Sequence, residues 1–127
     1  KFITPSIRYY SALRSLNELQ IAEKFSHYPK YFSSFSSCNQ NFKFTAKAKS
    51  KWCGQCPKCV FVWTMLSAYL PAAELERIFG KNLYQDKKLK PIFQELLGQR
   101  KHKPFECVGT PSEMKMALRL AKKKAWD

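Results

Sequence analysis

The sequence predicts a mainly α-helical domain that is held together at a metal-binding knuckle. Capping residues, prolines and glycines mark the starts and ends of several helices, and four of the five cysteines fall at metal-ligand spacing. Alternation of the strand type is confined to one short segment. With 127 residues, of which 45% are hydrophobic, the chain can bury one modest core.

Two helices are predicted in the first half of the chain. The first spans about residues 16–27 and begins at the capping box Ser15-Leu16-Asn17-Glu18. The second runs from Pro57 to about residue 69, and because proline suits the first helical position, Cys59 falls in its first turn. This helix is apolar nearly all round, which predicts that it is buried.

Three more helices are predicted in the second half. Pro71 opens the third, and Gly80 stops it. The fourth lies near residues 89–97 and is followed by Gly98. The last begins at a second capping box, Thr110-Pro111-Ser112-Glu113, and carries its apolar residues on one face.

The cysteine spacing predicts a closed tetrahedral zinc site formed by Cys38, Cys53, Cys56 and Cys59. The two-residue gap between Cys53 and Cys56 lets the backbone fold around an ion, and Gly54 tolerates the positive φ that such turns often need. The helix N-terminus at Cys59 favours a thiolate. Cys38 reaches the site from a distant segment.

Other uses of these cysteines fit the sequence less well. A disulfide framework favours an even number of cysteines in a small secreted chain, whereas this chain has five and no hydrophobic signal sequence before them. A redox pair needs no further cysteines, and a catalytic zinc keeps one position open for water. Structural zinc is the interpretation that we favour, with an iron–sulfur cluster as the main alternative.

The charge balance points to an anionic partner. Lys and Arg outnumber Asp and Glu by 23 to 9, which gives a net charge of +14 and favours nucleic acid, a nucleotide or another phosphate-bearing substrate. No apolar run is long enough for a membrane span, so we expect a soluble, cytoplasmic domain. Because the chain begins at Lys1 rather than Met, we also expect it to be a fragment or a processed product.

A segment of period two lies between the first cysteine and the knuckle. From Phe42 to Trp52 the apolar or small residues occupy even positions, and four lysines occupy odd ones: Lys43, Lys47, Lys49 and Lys51. An extended or β segment here places these ammonium groups on one face, where they suit phosphate oxygens. The alternative is a solvated edge strand guarded by lysines. His27 and His102 stand apart from the cysteines, so we expect neither to be a ligand.

Several separated motifs resemble those of a known family. They are Leu13-Arg14-Ser15-Leu16, Ser37-Cys38-Asn39-x-Asn41, Trp52-Cys53-Gly54-x-Cys56-Pro57-Lys58-Cys59, Ile78-Phe79-Gly80 and Pro104-Phe105-Glu106-Cys107-Val108-Gly109-Thr110. Together they resemble the C-terminal domain of the ATP-dependent UDP-N-acetylmuramoyl-L-alanyl-L-glutamate epimerases of peptidoglycan synthesis. The four-cysteine arrangement is also similar to that of the PP-loop ATP pyrophosphatases, such as 7-cyano-7-deazaguanine synthase.

The resemblance implies a function for a longer protein. An upstream ATP-binding domain of α/β type is expected to bind ATP and Mg²⁺, because this chain lacks the Ser-Gly-Gly-x-Asp-Ser nucleotide loop. The substrate is then the UDP-muramoyl dipeptide, whose terminal L-glutamate is activated as an acyl-adenylate and inverted by proton removal and return. Alone, the chain is not expected to be a complete enzyme.

The candidate catalytic group is Cys107, the one cysteine outside the metal motif. It precedes the N-terminus of the last helix, where backbone donors can lower a thiol pKa or hold an anionic group, although a buried free thiol is the simpler interpretation. Glu113 is a weaker candidate, because the capping box explains it. Candidates for substrate binding are polar residues in or near the motifs: Asn39, Asn41, Lys43, Lys51, Lys58 and Thr110.

Two other classes of function remain open. A zinc-stabilised basic module that binds nucleic acid is supported by the charge, the lysine face and an aromatic content of 15%. Against it, several aromatic residues fall within helix patterns that bury them. The second is a structural zinc domain that docks on an upstream catalytic domain through its apolar helices.

Overall fold

The computed structural model describes residues 6–42, 50–102, 104 and 108–124, and over these ranges the chain is helical. The α-helices found there are α1 (Glu18–Ser26), α2 (Pro57–Ser67), α3 (Ala72–Phe79), α4 (Lys90–Leu96) and α5 (Pro111–Lys123). Short 3-10 helices lie at Pro29–Tyr31, Asn39–Phe42 and Lys87–Leu89. The described ranges contain no strand, which confirms the mainly α prediction. Most of the predicted extended segment, residues 43–49, lies outside them.

Helix α2 is the centre of the fold. It packs against α1, α3, α4 and α5, and most extensively against α5. Its side chains are buried on nearly every side, as the sequence predicted, and Trp63 and Val60 have no exposed surface. Pro57 occupies its first turn. Although α2 is apolar, it has 11 residues, and no helix in the described part of the chain is long and apolar enough to cross a membrane.

A row of aromatic rings runs through the core beside α2. Trp52 contacts Phe35 at 5.1 Å between ring centroids and Phe79 at 4.6 Å. Trp63 then contacts Phe79 at 5.4 Å and Tyr84 at 5.7 Å, both edge to face. Such tilted and edge-on pairs add a geometric preference to the burial of large apolar surfaces. The row therefore ties the segment before α2 to α3 and to the loop that precedes α4.

The predicted start of α1 is wrong by two residues. Asn17, rather than Ser15, is the N-cap, and its side chain accepts a hydrogen bond from the Gln20 N–H at 2.9 Å. Gln20 completes the capping box by accepting from the Asn17 N–H at 3.0 Å. Asparagine caps a helix as well as serine does, and Leu16 is held in a turn by a hydrogen bond to the Leu13 carbonyl. Ser15 and Leu16 therefore belong to that turn and not to α1.

The other helix signals are confirmed to within a few residues. Gly80 ends α3 in the left-handed region with a φ of 80°. Pro71 is the N-cap of α3 rather than its first helical residue. Helix α4 begins at Lys90 and is preceded by the short 3-10 helix, close to the predicted range. Thr110 caps α5 and forms the predicted box with Glu113.

The carboxylate of Glu113 joins the N-termini of two helices. One oxygen accepts from the Glu18 N–H at 2.9 Å, and the other accepts from the Thr110 N–H at 2.8 Å. Gly109 lies against the same group, because a Cβ there would come within 2.8 Å of both a Glu113 oxygen and the Phe61 ring. The close approach of this backbone to α2 therefore requires glycine at 109. In this way α1, α2 and α5 meet at one polar contact.

The geometry predicts that Glu113→Gln lowers the free energy of unfolding at pH 7 by about 1 kcal/mol, toward the low end for a charged hydrogen bond because Glu113 is partly solvated. Burial alone raises the pKa of Glu113, but hydrogen bonds from Thr110 and from the Glu18 and Leu19 backbone outweigh it, so this pKa is lowered. A carboxyl group whose pKa is lower in the folded state than in the unfolded state stabilises the fold at pH values above the unfolded pKa. This stabilisation is lost as the pH falls through the folded pKa. The difference between wild type and variant should therefore shrink on acidification.

Denaturant unfolding of both proteins over a pH series measures this effect. Glu95→Gln is the matched control, since within the described residues the Glu95 carboxylate makes a long contact with Arg100 at 3.5 Å, whose removal should change stability little. Equal stabilities of Glu113→Gln and wild type at pH 7 would show that this carboxylate does not join the helices energetically.

Candidate metal centre

The structure brings the four predicted ligands together. The Sγ atoms of Cys38, Cys53, Cys56 and Cys59 all lie within 4.8 Å of one another. The Cys59 sulfur is 3.6 Å from that of Cys53 and 3.5 Å from that of Cys56. Cys38, Cys56 and Cys59 are buried, and Cys53 is half-buried. We call these four thiols the metal centre.

The donor set and its dimensions fit a tetrahedral metal ion. Zinc–sulfur bonds of about 2.3 Å in a regular tetrahedron place the sulfurs about 3.8 Å apart, close to the separations found here. The four thiols are free, and their sulfurs are too far apart for disulfide bonds of about 2.05 Å. Four soft thiolates with no oxygen donor are typical of structural zinc or of iron–sulfur centres. The cluster can therefore hold a metal ion of this class.

The first turn of α2 positions two of the ligands. Cys56 is the N-cap, Pro57 follows it in the first turn, and Cys59 lies one turn further along. The adjoining knuckle turns sharply, because Gly54 has a φ of 64°. Backbone N–H groups point at the sulfurs: Gln55 donates to Cys53 at 3.4 Å. Such donors stabilise thiolates and favour metal binding.

Hydrogen bonds between side chains and backbone bring Cys38 to the knuckle. The Ser36 hydroxyl donates to the Lys51 carbonyl at 2.6 Å, and the Lys51 ammonium donates to the Ser33 carbonyl. The Asn41 amide donates to the Ser50 carbonyl. These contacts lie on both sides of Cys38, so the two segments run together. The N–H of Cys53 then donates to the Cys38 sulfur at 3.4 Å.

The thiols of the knuckle titrate as a coupled group. The hydrogen bond between the Cys56 and Cys59 sulfurs lowers the pKa of Cys56 to about 4. The same shared hydrogen bond, together with burial, raises the pKa of Cys59, and burial raises the pKa of Cys53. The hydrogen bond between Cys56 and Cys59 therefore favours ionisation of Cys56 and opposes that of Cys59. A metal ion must displace the thiol protons, so its affinity falls as the pH falls.

The predicted substrate-binding residues are found in several places. Asn41 and Lys51 make the structural hydrogen bonds described above, and Thr110 caps α5. Asn39 is exposed in a 3-10 helix. Lys58 lies in the first turn of α2, with its Nζ 5.5 Å from the centroid of the Phe61 ring. Lys43 and the candidate base Cys107 lie outside the described residues. Both histidines are exposed and lie apart from the cysteine cluster.

A cavity of about 270 Å³ lies beside the metal centre. Its lining is Phe32, Ser33, Lys51, Trp52, Arg77 and Ile78. Both cations there have partners, since Lys51 donates to the Ser33 carbonyl and Arg77 pairs with Glu74 at 2.5 Å. Sequence reasoning did not identify this cavity or the bracing role of Ser33 and Ser36. The serine-rich segment 33–37 was the signal for Ser36, because short hydroxyl side chains bond readily to nearby backbone, whereas Ser33 acts through its backbone carbonyl, which its side chain does not indicate.

Comparison with known proteins gives a consistent set of matches. A family model described as the MurL C-terminal domain matches residues 34–127. A UDP-N-acetyl-alpha-D-muramoyl-L-alanyl-L-glutamate epimerase of Xanthomonas oryzae pv. oryzae is 41% identical over 99% of this chain and 28% of its own length. Proteins of the same name from a Micromonospora species and from Salinispora tropica are 43% and 44% identical over 93% and 88% of this chain. The chain thus spans about a quarter of the length of these curated relatives. No solved structure matches it.

We expect the protein purified without added metal to contain about one equivalent of zinc. Cys56→Ser should lose most of this zinc and unfold at a markedly lower temperature, because the binding energy of a structural site is also folding energy. Elemental analysis and thermal unfolding of the same preparations measure the two effects.

Cys107→Ser is the matched control, because Cys107 stands apart from the metal-binding motif in the sequence and four other thiols already supply a complete ligand set, so its removal should leave the zinc content unchanged. A disulfide between any two of the four cluster cysteines in the native protein would contradict the metal centre. An iron signal in place of zinc would keep the ligands and change the metal.

Proposed function

Because this chain belongs to the MurL C-terminal domain family, we propose that it is the C-terminal portion of an ATP-dependent epimerase. The substrate is UDP-N-acetylmuramoyl-L-alanyl-L-glutamate, whose terminal L-glutamate is converted to D-glutamate. The observation that carries this proposal is the match to a named epimerase over 99% of the chain at 41% identity. The product is a precursor of peptidoglycan, and the reaction takes place in the cytoplasm.

The metal centre has a structural role in this proposal. Zinc bound by Cys38, Cys53, Cys56 and Cys59 supplies a cross-link, since four thiolates fill a tetrahedral site and leave no position for substrate. Cys38 belongs to the segment before the knuckle, whereas Cys56 and Cys59 belong to the start of α2. Their common ion therefore fixes this segment to the central helix. Any surface that this segment offers to substrate is held in place by the same ion.

The nucleotide chemistry belongs to the rest of the protein. The relatives are about four times as long as this chain, which leaves ample length for an upstream PP-loop domain that binds ATP and Mg²⁺. That domain transfers an adenylyl group to a carboxylate of the terminal glutamate and releases pyrophosphate. Formation of this acyl-phosphate anhydride removes the negative charge of that carboxylate and so acidifies the neighbouring C–H bond. Proton removal from one face and return to the other then inverts the carbon, and hydrolysis of the anhydride by water releases AMP and restores the carboxylate.

Cys107 is our candidate for a group that moves this proton. It lies in sequence between Pro104 and Gly109, and Gly109 is packed against Phe61 and the Glu113 carboxylate at the start of α5. A thiol is a suitable base once its pKa approaches the working pH. The remaining substrate contacts are assigned to the polar residues near the motifs: Asn39, Asn41, Lys43, Lys51, Lys58 and Thr110.

We do not propose the nucleic-acid function as a second candidate. Its support was the net charge, the lysine face before the knuckle and the aromatic content, and the one described lysine of that face, Lys51, donates to the Ser33 carbonyl. Of the aromatic residues near it, Trp52 is buried in the core, and Phe35 is partly buried and packs against Trp52. Bases cannot stack on rings that are buried in this way.

We expect the 127-residue chain alone to show no epimerase activity and no ATP hydrolysis, whereas the full-length protein converts the UDP-muramoyl dipeptide in the presence of ATP and Mg²⁺. The physical reason is that the sequence contains no nucleotide-binding loop. Chiral analysis of the glutamate released by acid hydrolysis measures the conversion. Turnover by the isolated chain would overturn the division of labour, and an inactive full-length protein would overturn the proposed reaction.

For Cys107→Ser in the full-length protein, we expect proton exchange at the glutamate α-carbon to fall at least about 100-fold, the usual scale for loss of a general base. Pyrophosphate release should persist, because activation precedes proton removal. Deuterium incorporation from D₂O and a pyrophosphate assay separate the two steps. Zinc content serves as the control for folding. Normal deuterium incorporation in this variant would place the base elsewhere.

A further inference from the structure

The side chain of Lys81 lies directly on the metal-binding knuckle. A Cβ placed on Gly54 would come within 2.8 Å of Lys81 Cε and 3.5 Å of Leu83 Cδ2. The same position is 3.8 Å from the Lys81 ammonium nitrogen. Gly54 is buried and belongs to the turn between two of the four cysteines. The lysine stem therefore fills the space that glycine leaves, and its charge lies beside the knuckle.

The loop that carries Lys81 is fixed at several points. Lys81 follows Gly80, the C-cap of α3, and its ammonium group pairs with Asp86 at 2.6 Å. The second oxygen of Asp86 accepts from the Lys88 N–H at 3.1 Å, so this carboxylate also caps the 3-10 helix Lys87–Leu89. Leu83, between them, has no exposed surface. The loop thus holds Lys81 in place and does not leave it free in solvent.

A positive charge at this place suits a metal bound by four thiolates. Four thiolates and one zinc ion carry a net charge of about −2, which a nearby cation attracts and partly offsets. Asp86 is not among the atoms nearest Gly54, so the ammonium group is the end of the ion pair that faces the knuckle. The methylene stem also covers the backbone there from water. The side chain of Lys81 remains 38% exposed, so it lies at the border between the centre and solvent.

We propose that Lys81, anchored by Asp86, is a positioning residue of the metal centre that slows the loss of its zinc ion. The ammonium group offsets the charge of the thiolates, and the stem closes the knuckle at Gly54 against solvent and competing ligands. This role rests on the proposed zinc site and adds to it two residues outside the cysteine motif. Lys81 has no part in the epimerisation itself.

The test measures zinc release from the full-length, zinc-loaded protein to an excess of a colorimetric chelator. Lys81→Met keeps most of the stem and removes the charge, and it should release zinc about tenfold faster than wild type at neutral pH and low salt. Lys81→Arg should stay close to wild type. Lys88→Met is the matched control from the same loop, since its side chain is exposed and its hydrogen bond to Asp86 is made by the backbone N–H.

Added salt and cobalt substitution separate the charge effect from damage to the site. The difference between Lys81→Met and wild type should shrink as salt screens the charge. The thiolate-to-cobalt absorption should be the same in both proteins, because all four ligands remain. Lys81→Gln also removes the charge, with a polar side chain in place of an apolar one, so it should release zinc about as fast as Lys81→Met and decides the matter should Lys81→Met fold poorly.

Wild-type release rates in Lys81→Met, or in Lys81→Gln where Lys81→Met is unfolded, overturn the proposed role of Lys81. Equal acceleration in Lys88→Met and Lys81→Met also overturns it, because the effect then reflects the net charge of the loop. Absence of zinc from the wild-type protein would instead overturn the proposed zinc site, on which the role of Lys81 rests. The failure of the one proposal is thereby distinguished from the failure of the other.

Discussion

Four cysteine sulfur atoms lie within 4.8 Å of one another, and they join the segment that carries Cys38 to the first turn of the central helix α2. Four thiols at this distance cannot all ionise, because each thiolate raises the cost of the next. A divalent ion removes that repulsion and replaces the protons. Burial of Cys38 and Cys59 as thiolates therefore becomes favourable only when the sulfurs share a cation. Trp52, which immediately precedes the knuckle, is buried as well.

The core around α2 transmits this local constraint to the rest of the fold. Trp52 contacts Phe79 of α3, and Phe79 contacts Trp63 of α2, so the knuckle and two helices share one set of rings. On the opposite side, Gly109 lets α5 approach the ring of Phe61 closely. Helix α2 is thus held by the metal centre at its start and by aromatic and helical packing along its length. Damage at the cysteines is expected to spread along this route and not to stay local.

Local signals accounted for most of the secondary structure and for the metal ligands. The capping box at Thr110 and the left-handed Gly80 depend on residues within one helical turn, and both are confirmed. The predicted start of α1 was wrong because Ser15 and Asn17 are both good N-cap residues. The Glu113 carboxylate, far away in sequence, accepts a hydrogen bond from the Glu18 N–H, which follows Asn17. The periodicity of apolar residues along a helix does not indicate a hydrogen bond between residues so far apart in sequence.

The parts of the site that escaped prediction are long-range contacts of the same sort. The spacing of the cysteines identified the cluster, but nothing in the spacing indicates that Lys81 lies on Gly54. Sequence reasoning assigned to Gly54 only its positive φ, whereas the structure adds a steric reason for glycine there. Asn41 and Lys51 were chosen for their polarity, and their hydrogen bonds brace the Cys38 segment. A polar residue near a ligand is therefore as much a brace for that ligand as a contact for substrate.

The net charge of +14 cannot be read as the location of an anion site, because cations near the metal centre already have partners. Lys51 donates to a backbone carbonyl, and Lys81 pairs with Asp86. On α5, by contrast, Lys115, Arg119 and Lys122 are exposed, opposite the buried face of that helix. Charge of this exposed kind acts over distance, by raising the local concentration of an anionic substrate or partner, and not through a fixed contact. The net charge and the cysteine cluster are therefore separate features of the molecule: the first is spread over exposed side chains such as those of α5, and the second joins two segments of the chain.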